Sequence, residues 1–215
     1  MDYSWLAYIL ILFCGCVVGL LRRKYLNSSS QRSWLLLVLV LVVEAVAYFF
    51  KHIMGNNMPI YHFSTTAYLL IYFWIFSSEI KLPFPLIGIA IAIIFLEIVL
   101  GTFHQKFNVE FPSTLYLFMS VVVVVLSLNY LQNLLKIKEV ASLFDYPLFF
   151  ISFGLLFFYT INLLGFGAFK FIYFQKNESF TSFFTLLRKS SNYLLYIIFI
   201  LAFLSKQASL NNDKR

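Results

Sequence analysis

Seven apolar runs alternate with short polar stretches along the chain, at about 3–21, 34–50, 60–76, 86–100, 114–131, 147–169 and 183–204. A membrane-crossing helix needs about 20 mainly apolar residues, somewhat fewer where the bilayer thins or flanking side chains snorkel. The pattern therefore predicts an all-α, polytopic membrane protein. It is one domain over 1–205, a bundle of seven transmembrane helices, with a short tail over 206–215. The prolines agree with this segmentation: Pro59, Pro83, Pro85, Pro112 and Pro147 all fall in loops or first turns, where a missing N–H costs least. Gly55, Asn56 and Asn57 mark a tight turn between the second and third runs. The fourth run is short, and the stretch holding Lys136, Lys138, Glu139 and Asp145 reads as an interfacial turn.

Composition strengthens the membrane reading. The chain is 61% hydrophobic and 12% charged, with a mean hydropathy of +0.86, whereas soluble domains carry about 25% charged residues. The net charge of +7 does not point to nucleic acid, because the basic residues sit beside apolar runs, where they set topology and meet anionic headgroups. Ten of the 16 Lys and Arg, among them Arg22, Arg23, Lys24, Arg32, Lys136 and Lys206, follow the odd-numbered runs. The positive-inside rule then predicts an outside N-terminus and a cytoplasmic C-terminus, in a bacterial inner membrane. Arg22-Arg23-Lys24 follow the first run instead of preceding it, which predicts an uncleaved helix and not a signal peptide. Within that helix Gly15 and Gly19 are spaced for close helix packing. Cys14 and Cys16 point apart, with neither disulfide nor zinc spacing.

Candidate chemistry comes from polar residues inside the runs. A carboxylate at a helix centre costs roughly 2.5–3.5 kcal/mol on insertion scales, so Glu44 must be faced or neutralised by something. In the predicted topology Glu44 and Glu97 lie in the outer halves of their helices, with Tyr61 and His62 at the start of the third and Asn192 in the seventh. These five are the ligand-binding or proton-linked candidates. Lys170, Arg188 and Lys189 are possible anion-binding or ion-pair partners at the same face, near Asn162. The plainer readings are a protonated or ion-paired Glu44 joining two helices, a snorkelling Glu97 and Lys170, an interfacial His62, an Asn192 that hydrogen-bonds between helices, and basic anchors at 188–189. Nothing shows metal-ligand spacing, and no catalytic residue or cofactor is indicated. The 27 Phe and 14 Tyr make an aromatic pocket easy to build, although membrane aromatics mostly pack against lipid and mark interfaces.

The carboxylate in the second run, Pro59-Ile60-Tyr61-His62 opening the third, Asp145-Tyr146-Pro147 leading into 149–159, and Asn192 with the Tyr-rich run after it complete a pattern. On these residues the chain resembles small seven-helix bacterial membrane proteins. The resemblance implies the architecture and carries no activity. The leading expectation is a sensory or regulatory module, in which an outward polar pocket binds a small ligand or protons and the loops signal through a membrane or cytoplasmic protein partner. The alternatives are a small-solute, ion or proton transporter or channel using Glu44 and Glu97, and a membrane scaffold or complex subunit. An enzyme is the least supported class.

Overall fold

The computed structural model describes residues 3–81, 88–89, 91–92, 95, 112–136, 142–175 and 178–207, with backbone alone at 3–4, 166–175 and 178–180. Among the described residues every regular element is helical: α1 (Tyr3–Leu21), α2 (Ser28–Met54), α3 (Met58–Phe76), α4 (Ser113–Leu135), α5 (Pro147–Gln175) and α6 (Glu178–Leu204), with short 3-10 turns at Arg23–Tyr25 and Leu143–Asp145. Of these, α2, α4, α5 and α6 are long and apolar enough to cross a membrane, and α1 adds a shorter apolar stretch, Trp5–Leu21. The chain is thus a multi-pass membrane protein with lipid as its outer solvent.

The outer surface fits that solvent. Phe13, Phe49, Phe63 and Phe153 are exposed, whereas Tyr72, Tyr130 and Tyr159 are buried. Hydrocarbon offers a phenol no hydrogen-bond partner, while a phenyl ring needs none. Tyr72, Tyr130 and Tyr159 therefore turn inward, whereas Tyr25 and Tyr48 stay exposed.

Each described helix packs against its neighbour in sequence, and α6 closes against α1, so the six form a ring in chain order. Side-chain contacts fix the directions. Arg22 Nη1 donates to the Leu204 carbonyl at 2.8 Å, and the Asn27 N–H donates to Gln207 Oε1 at 3.2 Å. Lys206 Nζ lies 3.6 Å from Asp145 Oδ2, and the Phe76 and Tyr130 rings are 6.5 Å apart. The ends of α1, α3, α4 and α6 and the starts of α2 and α5 therefore share one end of the bundle, the basic end. Arg32 adds to it by donating to the Trp74 carbonyl and to Ser77 Oγ, the latter at 3.1 Å.

The α2 helix runs past its apolar run because caps, not hydropathy, end it. The second helix was expected over 34–50. It begins at Ser28, where Asn27 Oδ1 accepts the Ser30 N–H at 2.9 Å and the Ser29 hydroxyl at 3.0 Å, and it ends at Gly55 with φ +70°. The serine-rich stretch is thus the first turn of a helix, and Ser29, Ser30 and Ser33 are buried. The third and fifth helices also outrun their predicted limits, as do the sixth and seventh, now α5 and α6. The predicted fourth helix, 86–100, lies mostly outside the described residues.

At the basic end α1 and α2 approach closely. A Cβ on Gly19 would sit 2.1 Å from Trp34 Cδ1, so only glycine lets the indole lie there. The Trp34 Nε1–H donates to the Cys16 carbonyl at 2.9 Å, and Arg23 stacks 5.4 Å from its ring. Gly15 faces Ile200 and Leu37, so both glycines serve packing within the bundle.

Candidate functional site

The ring encloses a cavity of about 350 Å³, lined by side chains from all six described helices. The spacing of the lining residues follows the helical period. On α3 they are Tyr61, Ser64, Thr65, Tyr68 and Tyr72, which share one face at i, i+3, i+4, i+7 and i+11. On α6 they are Arg188, Lys189, Asn192, Leu195, Tyr196 and Phe199. Leu36, Leu37, Val40 and Glu44 come from α2, and Phe158, Tyr159 and Asn162 from α5. Tyr8 of α1 and Tyr116 and Met119 of α4 complete the wall.

Tyr61 and Tyr116 stand in the first turns of α3 and α4, so the cavity reaches toward the end opposite the basic one. Arg188 and Lys189 are exposed as well as lining it, which makes them part of its mouth. Toward the basic end the side chains Leu126, Tyr130, Phe76, Phe199 and Phe203 are fully buried.

Glu44 is half-buried in the wall. The Tyr8 hydroxyl donates to Glu44 Oε1 at 3.2 Å and sits 3.5 Å from the Tyr196 hydroxyl. Tyr61, Tyr68 and Tyr196 also lie within electrostatic reach of the carboxyl group. A second pair lies deeper, where the Tyr159 hydroxyl donates to that of Tyr72 at 2.9 Å and the rings meet edge to face. The Tyr116 ring is 6.3 Å from that of Tyr159. Asn162 is buried and donates to the Phe158 carbonyl at 2.7 Å.

Comparison with known protein families, curated proteins and solved structures finds no match. The geometry is therefore the only guide to function.

Of the candidates singled out in the sequence, Glu44, Tyr61, Asn192, Arg188 and Lys189 line this one cavity. His62 is buried on a different face of α3 and is not among the lining residues, since successive helical residues point about 100° apart. Glu97 lies outside the described residues, and Lys170 is described only as backbone in α5. Among the described residues no three His, Cys, Asp or Glu side chains come together as a metal site requires.

Sequence reasoning missed the tyrosines at 8, 68, 72, 116, 159 and 196. A signal for the two on α3, Tyr68 and Tyr72, was present in the stripe 61–64–65–68–72, whose hydroxyl-bearing residues recur at helical spacing inside an otherwise apolar run. Tyr196 stands four residues after Asn192 and eight after Arg188, on the same α6 face.

Proposed function

We propose that this protein is a membrane-embedded receptor, a sensory or regulatory module whose central cavity takes a small ligand from outside the cell and whose response passes to a partner protein. The observation that carries the reading is that all six described helices contribute side chains to one cavity. A ligand held there touches every wall of the ring, so its binding energy acts on the arrangement of all of them, which is what a ligand-driven population shift requires. The fully buried aromatic and aliphatic side chains toward the basic end support a binding module over a continuous channel.

The proposed setting is a seven-helix bundle in a bacterial inner membrane, with the N-terminus outside and the C-terminus in the cytoplasm. Two observations support it. The basic end gathers Arg22, Arg23, Lys24, Arg32, Lys136 and Lys206, as a cytoplasmic face does. In addition, α3 and α4 both end at that face and so run in the same direction, as a seven-helix bundle with one more crossing between them requires.

The test is accessibility of Ser64→Cys, a lining position, in a chain carrying Cys14→Ala and Cys16→Ala. A small membrane-impermeant thiol reagent is applied to intact cells and to inverted vesicles. A receptor reacts from the outside only. Reaction from both sides makes the protein a transporter, and no reaction from either makes it a scaffold or subunit.

A further inference from the structure

The receptor reading leaves the ligand's chemistry open, and the inference here rests on that reading. The cavity has an acidic pole and a basic pole. The acidic pole is Glu44, to which the Tyr8 hydroxyl donates at 3.2 Å, with the Tyr196 hydroxyl 3.5 Å from that of Tyr8. The basic pole is Arg188, which lines the cavity together with Lys189 and Tyr116.

Both poles stand at a comparable level. Glu44 follows the start of α2 at Ser28 by 16 residues, and Arg188 precedes the end of α6 at Leu204 by 16 residues. Those two helix ends lie together, because Arg22 Nη1 donates to the Leu204 carbonyl at 2.8 Å and the Asn27 N–H to Gln207 Oε1 at 3.2 Å. At 1.5 Å per residue each pole is about 24 Å from the basic end. The carboxylate and the guanidinium therefore face the same layer of the cavity from α2 and α6, the two helices that flank α1.

We infer that the cavity recognises a small zwitterion, an ammonium group joined through a short linker to a phosphate or carboxylate. The ammonium sits on Glu44 among Tyr8 and Tyr196, where a carboxylate supplies the counter-charge and aromatic rings add cation–π attraction. The anionic group meets Arg188, whose guanidinium is permanently charged and forks onto paired oxygens. A cation alone leaves Arg188 facing a like charge, and an anion alone does the same to Glu44. A zwitterion is neutral overall and satisfies both. Its source is either a free metabolite or the headgroup of a lipid entering from the bilayer.

Protection of Ser64→Cys, in the chain carrying Cys14→Ala and Cys16→Ala, reads occupancy in purified protein. The probes are phosphoethanolamine and β-alanine as soluble zwitterions, lysophosphatidylethanolamine as a lipid one, and ethanolamine and inorganic phosphate as single-pole controls. At least one zwitterion is expected to slow labelling tenfold or more, with neither control protecting. Protection by a soluble probe assigns a free ligand, and protection by the lysolipid alone assigns a headgroup. Glu44→Gln, which keeps the shape and the acceptor for Tyr8, and Arg188→Gln are each expected to abolish protection while gel-filtration profile and helical content stay unchanged. Tyr8→Phe gives a second variant at the acidic pole and is expected to weaken protection severalfold. The inference is overturned if the thiol labels equally fast with every probe, if ethanolamine or phosphate protects as well as the zwitterions, or if both charge variants retain full protection. A thiol that reacts in no condition instead overturns the receptor reading beneath it.

Discussion

Replacing Gly19 by alanine tests the α1–α2 contact most directly. The new Cβ would lie 2.1 Å from Trp34 Cδ1 and 2.9 Å from Cγ, where carbon atoms normally rest about 3.5–4.0 Å apart. The indole must retreat by more than an ångström, and it is not free to do so. Its Nε1–H is committed to the Cys16 carbonyl at 2.9 Å, and Arg23 lies over its ring at 5.4 Å. Overpacking of this kind costs about 1–3 kcal/mol. Loss of the hydrogen bond adds about 0.6 kcal/mol in a membrane bundle, and loss of the stacked cation about 0.5–1 kcal/mol. Gly19→Ala should therefore lose about 2–5 kcal/mol in a reversible unfolding titration with denaturing detergent in mixed micelles, the sum of those terms. Gly15→Ala is the control, since its Cβ would come no closer than 3.4 Å to Ile200, and it should be nearly neutral. In a Trp34→Ala background the clash has no partner, so Gly19→Ala should cost nothing there. An undiminished loss in that background, or no loss from Gly19→Ala alone, refutes the reasoning.

Three further outcomes are expected, each read by the same titration. Gly55→Ala should destabilise by about 1 kcal/mol, because the residue closes α2 at φ +70° and a Cβ strains that conformation. Gly55→Asn should cost less, since asparagine tolerates the left-handed region. Asn27→Ala removes the acceptor for the Ser30 N–H and should cost about 1 kcal/mol, with Asn27→Asp restoring the loss. Lys206→Ala should produce no measurable change, because its partner Asp145 is met at 3.6 Å with the lysine side chain 81% exposed.

The helical class was legible because lipid removes the alternatives. With no water to satisfy backbone groups, a long apolar run must be a helix or part of a closed barrel, and the runs around Val40, Val123 and Leu155 carry no alternation. Helix ends were less legible. Asn27 and Gly55 stop α2 through local backbone geometry, and both lie outside the apolar run that marks its interior. The polar flank 28–33 consequently looked like a loop, although Ser29, Ser30 and Ser33 are buried.

For the site, hydropathy pointed to the exceptions, and that was enough for Glu44, because a carboxylate in an apolar run is conspicuous. Tyrosine is not conspicuous in a membrane chain, since it serves equally at an interface, against lipid or in a core. Tyr8, Tyr159 and Tyr196 belong to three different helices and become neighbours only when α6 closes against α1 and packs on α5. His62 shows the converse. One position from Tyr61 in the chain, it is turned about 100° around α3 and away from the cavity that Tyr61 lines.

By itself, then, the chain determined that it is helical and apolar outside, and which residues break the pattern, because those properties depend on each segment's own exchange with lipid. Only the tertiary structure decided that the helices form a ring, that Glu44 and Arg188 share one cavity, and that seven tyrosines furnish it. Those facts depend on the rotation of each helix about its axis and on which helix is its neighbour. Both are set by packing between segments far apart in sequence, such as Trp34 against Gly19 and Tyr8 against Tyr196, and no single segment encodes them.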